Sequence, residues 1–493
     1  MSLKKEVVVI GGGFAGLSAA CFLAKAGMQV TMLEKNEAIG GRCRSFSEQG
    51  FIFDMGPSWY WMPDVFERFY QSFGYTTSDF YTLDRLDPSY QVIYDDGDIF
   101  EVPASYKDLV ALFEQYEPGS GDHLDKFLAD GAYKYEVGMN EFVHKPSLSI
   151  FEFMEWKIVT NFLKMDLFKS ISKEIRSKFK NPKLIQLLEF PVLFLGAKPQ
   201  KTPALYSLMN YADIKLGTWY PQGGMVKIPE AMHMIATDLG VNIKLDEPVE
   251  ELLIQEGQVT SVITSKGKYR LDAVISSADY HHTEQALLPK AYRSYSDAYW
   301  DKREMAPSSL LFYVGVDKKI EGLKHHNLFF DTDFERHAGQ IYDTYEWPDQ
   351  PLFYVCCPSK TDPTVAPEGK ENLFFLVPLS AGIEDDMSKR EALFDILVAR
   401  LNQRIGLDIT KHIVFKRSFC VEDFKSAYNS FKGNAYGLAN TLLQTAFLKP
   451  KMQSKKVGNL IYAGQLTTPG PGVPPSLISG EVAAKYLINK YKG

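Results

Sequence analysis

Three glycines and one glutamate carry the first chemistry that can be read from this chain. Gly11, Gly13 and Gly16 fit the spacing GxGxxG, with Phe14 and Ala15 between them, and Glu34 stands 18 residues after the last glycine. Gly11 permits a tight turn, Gly13 lets backbone N–H groups approach a pyrophosphate, and Gly16 lets a helix lie close on a strand. Glu34, followed by Lys35, is placed to accept hydrogen bonds from adenosine ribose hydroxyls. The chemistry is capture of a dinucleotide, either NAD or FAD.

The elements that must hold these residues are legible around them. Residues 6–10 (EVVVI) form an apolar, β-branched run that predicts a buried parallel strand. Residues 17–26 are rich in Ala and Leu and predict a helix capped by Gly27. Residues 29–33 (QVTML) predict a second strand that delivers Glu34. Strand, glycine turn, helix and strand together span about thirty residues, as a dinucleotide-binding βαβ unit requires.

Two further segments favour FAD over NAD. Gly40, Gly41 and Arg42 bring backbone close to a ligand and offer a guanidinium to phosphate oxygens, and Gly56, Pro57 and Ser58 make another tight turn. The plainer reading of this segment is a solvated loop with one surface arginine. Near the C-terminus, residues 460–464 (LIYAG) read as a short strand ending at Gly464, followed by Gln465. The turn from Pro469 through Gly472 and Val473 to Pro475 feeds a predicted helix over 476–491. That arrangement points free N–H groups and a helix dipole at a flavin edge that gains negative charge on reduction. Residues 248–253, 259–264 and 269–276 predict a β-meander; in flavoproteins of this plan such a meander covers the nucleotide half, which implies a backbone group near Val249 at adenine.

Composition bounds the rest. A chain of 493 residues, 45% hydrophobic and 23% charged, has two to four domains' worth of length and a large core. A net charge of −7 argues against nucleic acid as the main partner. The five cysteines show no CxxC pair and no histidine at zinc spacing, so no metal site is expected, and reduced core thiols suit a cytoplasmic protein. Cys356 and Cys357 are expected in a buried strand. No signal peptide and no run of 18 apolar residues is visible.

Residues 150–196 depart from the average. Phe151, Met154, Ile158, Phe162, Met165, Phe168, Ile171 and Ile175 recur at spacings of three and four, and eight basic residues between Lys157 and Lys183 face only Asp166 and Glu174. A basic, aromatic amphipathic helix lies in a membrane interface. The alternative is a core-packed helix with a solvated basic face.

These motifs, together with the blocks 190–196 (FPVLFLG), 203–213 (PALYSLMNYAD), 219–224 (WYPQGG), 277–282 (SADYHH) and 433–443 (GNAYGLANTLL), resemble bacterial phytoene desaturases, within the superfamily of flavin-containing amine oxidases. Gln465 departs from the pattern, because the superfamily often has an acidic residue there. The resemblance implies an α/β fold: a discontinuous FAD-binding Rossmann-like domain from 1–85, 220–290 and 430–493. Interleaved with it is a mixed-sheet and helical substrate domain from 86–219 and 291–429, with a membrane-facing lid around 150–196. It further implies FAD, a lipophilic carotenoid substrate and stepwise oxidation of phytoene to lycopene, with oxygen or a quinone as electron acceptor. The implied location is cytoplasmic, on the inner face of the cell membrane. Asp130 and Lys134 fall where the family has polar active-site residues, so they are the candidate catalytic residues, with a surface position as the alternative. Three rivals share this plan: a desaturase of a hydroxylated or partly desaturated carotenoid, a carotene cis–trans isomerase, and a flavin-free prenyl carrier.

Overall fold

The computed structural model describes residues 4–149, 152, 169–193, 196–441, 444–445 and 448–492. Two large sheets organise it. The first has five parallel strands in the order Leu460–Tyr462, Ala273–Ser276, Glu6–Ile10, Gln29–Leu33 and Asn242–Lys244. Val7, Val8, Val9 and Ile10 are all buried, so this strand is covered on both faces, as its uninterrupted apolar run requires. Helix Phe14–Lys25 makes the crossover to Gln29–Leu33, with Ala26 as its cap one residue before the expected Gly27.

The helix Val473–Lys492 packs along Phe14–Lys25 at very short range. A Cβ added to Gly480 would lie 2.1 Å from the Ala15 carbonyl oxygen. The same device operates at Gly16, where a Cβ would lie 2.0 Å from Gly11 O and 2.6 Å from Ser277 Oγ. Both ends of the chain are thus pressed against one glycine turn.

The meander is antiparallel, from Val249–Gln255, Gln258–Thr264 and Gly267–Arg270. The expected third strand over 269–276 is in fact two. It breaks at Leu271 and Asp272, and Ala273–Ser276 crosses into the parallel sheet beside Glu6–Ile10. The physical reason is burial: all four residues of Ala273–Ser276 are buried, whereas Gly267–Arg270 is largely exposed. Asp272 marks the break, accepting the Glu6 backbone N–H at 2.8 Å and pairing with Lys5 at 3.0 Å.

The second sheet has seven strands, in the order Ile413–Phe419, Ser308–Val316, Glu371–Leu379, Phe353–Cys356, His326–Phe330, Tyr90–Tyr94 and Ile99–Val102. Only the pairing of His326–Phe330 with Tyr90–Tyr94 is parallel. Helix Met387–Ile405 covers one face, burying Leu393, Leu397 and Leu401 with Phe312 and Phe375. The opposite face carries Leu311, Leu328, Phe330 and Leu376.

Of the basic amphipathic stretch 150–196, residues 150–168, apart from Glu152, and residues 194–195 lie outside the described residues. Within the rest of it, helix Ile171–Arg176 buries Ile171 and Ile175, and helix Pro182–Leu193 buries Phe190 and Val192. Several of its cations are neutralised: Lys169 and Lys178 pair with Glu174, Arg176 with Glu189, and Lys183 with Asp96 and Asp98. Among the described residues no helix is long and apolar enough to cross a membrane.

Candidate functional site

One cavity of about 1170 Å³ runs from the glycine turn to the seven-stranded sheet. That exceeds the usual span of roughly 300–1,000 Å³ for a single small-molecule site. Its two ends differ in chemistry.

The first end is built where the parallel strands stop. Gly11, Gly13, Phe14 and Ala15 line it from the turn, and Glu34 and Lys35 from the end of the second strand. Gly41, Arg42, Gly56, Pro57 and Ser58 line it from the connecting loops, and Val249 from the meander. Gly464, Gln465, Gly472 and Val473 close it from the C-terminal segment. Gly16, grouped with them from sequence, is absent from the wall, because its role is the close packing already described.

The geometry there suits a large anionic ligand. The Gly13 and Gly41 backbones approach so closely that a Cβ on Gly41 would lie 3.2 Å from Gly13 Cα. Arg42 is buried against this wall. Its Nη2 donates to Ser430 Oγ at 3.1 Å and Asn434 O at 3.2 Å, and its Nε has no hydrogen-bond partner. Burial pulls the guanidinium pKa below its usual value, which a bound phosphate would oppose. The helix Val473–Lys492 begins Val-Pro-Pro, so Val473 is the one backbone N–H donor among its first three residues. The expected fan of free N–H groups is reduced to a single directed donor, because proline has none.

Sequence reasoning missed a strap over this end. Helix Val421–Tyr428 and the loop after it contribute Phe424, Ala427, Tyr428 and Asn429 to the wall. Lys35 Nζ donates to Ser426 O at 2.7 Å, and the Arg42 guanidinium lies 5.0 Å from the Tyr428 ring centre. No motif marks this segment, and only the fold brings it nearly four hundred residues back along the chain.

The second end is an apolar chamber. Trp59, Trp61, Met62, Phe190 and Met209 form one side, and Leu311, Leu328, Phe330 and Leu376 project from the seven-stranded sheet. Its one histidine beside the sheet, His337, is committed. His337 Nδ1 accepts the Leu352 N–H at 3.0 Å, so Nε2 carries the proton and donates to Pro378 O at 3.1 Å. Burial lowers its pKa to about 4, so the ring is neutral with both nitrogens engaged.

Asp130 and Lys134 do not line the cavity. They lie on helix Ser120–Val137 and pair with each other at 2.6 Å, and Lys134 also donates to Ala204 O at 3.2 Å. The two candidate catalytic residues thus form an ion pair away from the cavity, which ties this helix to the segment at 204. His281 stacks on Phe431, as a structural histidine does, whereas His282, which accepts from Asn429 Nδ2 at 3.1 Å, lines the cavity. The five cysteines are free and buried, as expected. The absence of a histidine near any cysteine, read from spacing, does not survive folding: Cys356 lies beside His325 and His326.

Comparison with known proteins agrees with this layout. The family profile described as flavin containing amine oxidoreductase matches residues 14–488. A protein of Haloarcula japonica named carotenoid 3,4-desaturase is 42% identical over 486 residues, covering 98% of each chain. A zeta-carotene-forming phytoene desaturase of Myxococcus xanthus is 30% identical over 492 residues, covering 98% of this chain and 94% of that one. Among solved structures, cyclohexylamine oxidase of Brevibacterium oxydans superposes with a TM-score of 0.61 at 15% identity, over 99% of this chain and all of that one. At that identity the likeness is one of fold.

Proposed function

This chain belongs to the flavin-containing amine oxidoreductase family, and from that premise we propose that it desaturates a carotenoid at the 3,4 carbon–carbon bond using FAD. The observation that carries this reading is the single cavity, which joins a dinucleotide cradle to a long apolar chamber without a wall between them. The position of the bond follows the relative at 42% identity.

FAD held at the first end supplies a two-electron hydride acceptor. The residues proposed to hold it are Gly11, Gly13, Phe14 and Ala15 at the pyrophosphate, Glu34 and Lys35 at the ribose, and Arg42 on phosphate oxygens. Val249 faces adenine, and Gly41, Gly56, Pro57, Ser58, Gly464, Gln465, Gly472 and Val473 surround the remainder. The protein's work on the substrate is placement. Trp59, Phe190, Leu328 and Phe330 hold a hydrocarbon by apolar contact at about 25 cal/mol per Å² and exclude water from the reacting carbons. The neutral, doubly bonded His337 adds a fixed dipole and no free base. Two electrons and two protons leave the substrate, as a hydride and a proton, when the double bond forms, and they are the equivalents that would convert bound FAD to FADH2. Oxygen or a quinone is proposed to reoxidise the cofactor.

A second reading is stepwise oxidation of phytoene to lycopene; its substrate, though not its product, is supported by the relative named a zeta-carotene-forming phytoene desaturase at 30% identity. The interleaved division into a FAD-binding domain (1–85, 220–290, 430–493) and a substrate domain (86–219, 291–429) is proposed with it. It is supported by the two sheets, which draw on separate sets of segments. Peripheral attachment to the inner face of the cell membrane through 150–196 is also proposed, on the basic and aromatic composition of that stretch.

The test is anaerobic single turnover of the flavin-loaded enzyme with phytoene or with lycopene in vesicles, followed by product chromatography. Flavin bleaching with a 3,4-desaturated product from lycopene supports the first reading. Bleaching with phytoene alone transfers the assignment to the second. Isomerised product without bleaching rejects both.

A further inference from the structure

Behind the chamber wall lies a cluster that the proposed chemistry does not use. His326 and Cys356 are directly opposite one another in the antiparallel pairing of His326–Phe330 with Phe353–Cys356. Cross-strand partners project to the same face of a sheet. His325 is brought alongside by the hydrogen bond from Cys357 N to its own carbonyl, at 2.7 Å. A ring nitrogen of each histidine and the Cys356 sulfur lie within 4.8 Å of one another, and all three residues are buried.

The hydrogen bonding is lopsided in an informative way. His325 Nδ1 bonds Thr361 Oγ1 at 2.7 Å and His326 Nδ1 bonds Tyr354 OH at 2.6 Å. Tyr354 OH in turn donates to Ser58 Oγ at 3.0 Å. Each imidazole is thus oriented through one nitrogen, while Nε2 of both rings is buried with no hydrogen-bond partner. Metal-binding histidines are held this way, by an outer partner on the nitrogen that does not ligate. A small cavity of about 20 Å³ adjoins His325 and Cys356, room for one small occupant. The Asp54 carboxylate lines it too, anchored by the N–H groups of Met225 at 2.8 Å and Val226 at 3.2 Å.

We propose that His325, His326 and Cys356, with Asp54 or a water as fourth ligand, bind one zinc ion. Imidazole and thiolate are zinc's preferred donors, and with Asp54 the ion's double charge is balanced by thiolate and carboxylate, so the buried site is neutral. Tetrahedral bonds of about 2.0–2.3 Å set ligands roughly 3.3–3.6 Å apart, a contraction of about 1 Å from the present span. The site is a structural clip. His326 stacks on Trp59 with ring centres 4.0 Å apart, and Trp59 lines the chamber, so the ion pins the wall against which substrate lies. The inference is independent of the bond desaturated and of FAD.

The experiment is metal analysis of the flavin-loaded enzyme produced with zinc in the medium and dialysed into metal-free buffer. About one zinc per chain is expected, with zinc-edge X-ray absorption showing a sulfur neighbour at about 2.3 Å. Cys356→Ser and His326→Gln should each lower zinc at least about tenfold, the factor expected at minimum for losing a ligand, while flavin content is unchanged. The absorption spectrum of the parent protein decides the matter even if the variants do not fold. Fewer than about one zinc per ten parent chains, far below the near-stoichiometric occupancy of structural sites, overturns the proposal. So does zinc bound without sulfur and indifferent to Cys356→Ser.

Discussion

Glu34 Oε2 accepts the backbone N–H of Gly12 at 2.6 Å, tying the end of the second strand to the middle of the glycine turn. Its other oxygen, Oε1, accepts from Asn36 N at 2.9 Å and Asn36 Nδ2 at 2.8 Å. An ionised carboxylate has about four acceptor positions, so three internal bonds leave room for a ribose hydroxyl. Glu34 therefore shapes the cradle and keeps one acceptor position for the proposed ligand.

From this, Glu34→Gln should lower flavin retention. Hydrogen bonds to a charged group are worth about 1.5–3 kcal/mol, and loss of even one corresponds to a tenfold or greater rise in the dissociation constant. Glu34→Arg should abolish retention. Flavin absorbance per chain after gel filtration measures both, and full occupancy in Glu34→Arg would remove the ribose contact from the assignment.

The contact between the two terminal helices predicts intolerance at Gly480. Gly480→Ala places a Cβ 2.1 Å from Ala15 O and 2.9 Å from Ser18 Cβ. Overpacking of this kind costs about 1–3 kcal/mol. Gly267→Ala is the control, because a Cβ there meets nothing within 4 Å, and its effect should stay within about 0.5 kcal/mol. Thermal melts of the flavin-loaded proteins separate the two.

Asp213 predicts a pH dependence of stability. Burial pushes its carboxyl up to about 6, although Tyr90 OH donates to it at 2.7 Å and Thr218 Oγ1 at 3.2 Å. An unfolded aspartate titrates near about 3.9, so between there and about 6 the native state binds more protons and stability falls as pH rises. The stabilisation from the protonated group is complete below the unfolded value and is lost on passing the native one. Asp213→Asn should remove roughly 1–3 kcal/mol of that fall. Urea midpoints taken across the window should then run parallel to the pH axis more closely than those of the parent.

Membrane attachment should depend on the cations that the fold leaves unpaired. Lys173 and Lys180 are exposed and make no ion pair among the described residues. At about 1 kcal/mol per basic residue near an anionic surface, the double change Lys173→Gln and Lys180→Gln should weaken binding to anionic vesicles about tenfold or more. The paired Lys169 and Arg176 should matter less. Equal co-sedimentation of parent and double variant at low salt would reject the proposed contact.

What the sequence determined by itself is the glycine-turn end of the cavity. Within each of its motifs the residues are consecutive or nearly so, and strand, turn and helix form from local pattern, so 16 of the 17 positions proposed for the cofactor line one cavity. Gly16 is the exception, since a glycine's spacing shows that backbone comes close but not whether ligand or protein fills the gap. The tertiary structure alone decided the rest. Apolar runs such as Ser308–Val316 announce burial without saying against what, so the chamber exists only once the seven-stranded sheet meets Trp59, Phe190 and Met209. The strap at 424–434, the pairing that turns Lys134 away from chemistry, and the meeting of His326 with Cys356 all join residues through space. A polar side chain's role is set by the partners that surround it after packing, and those partners are distant in the chain.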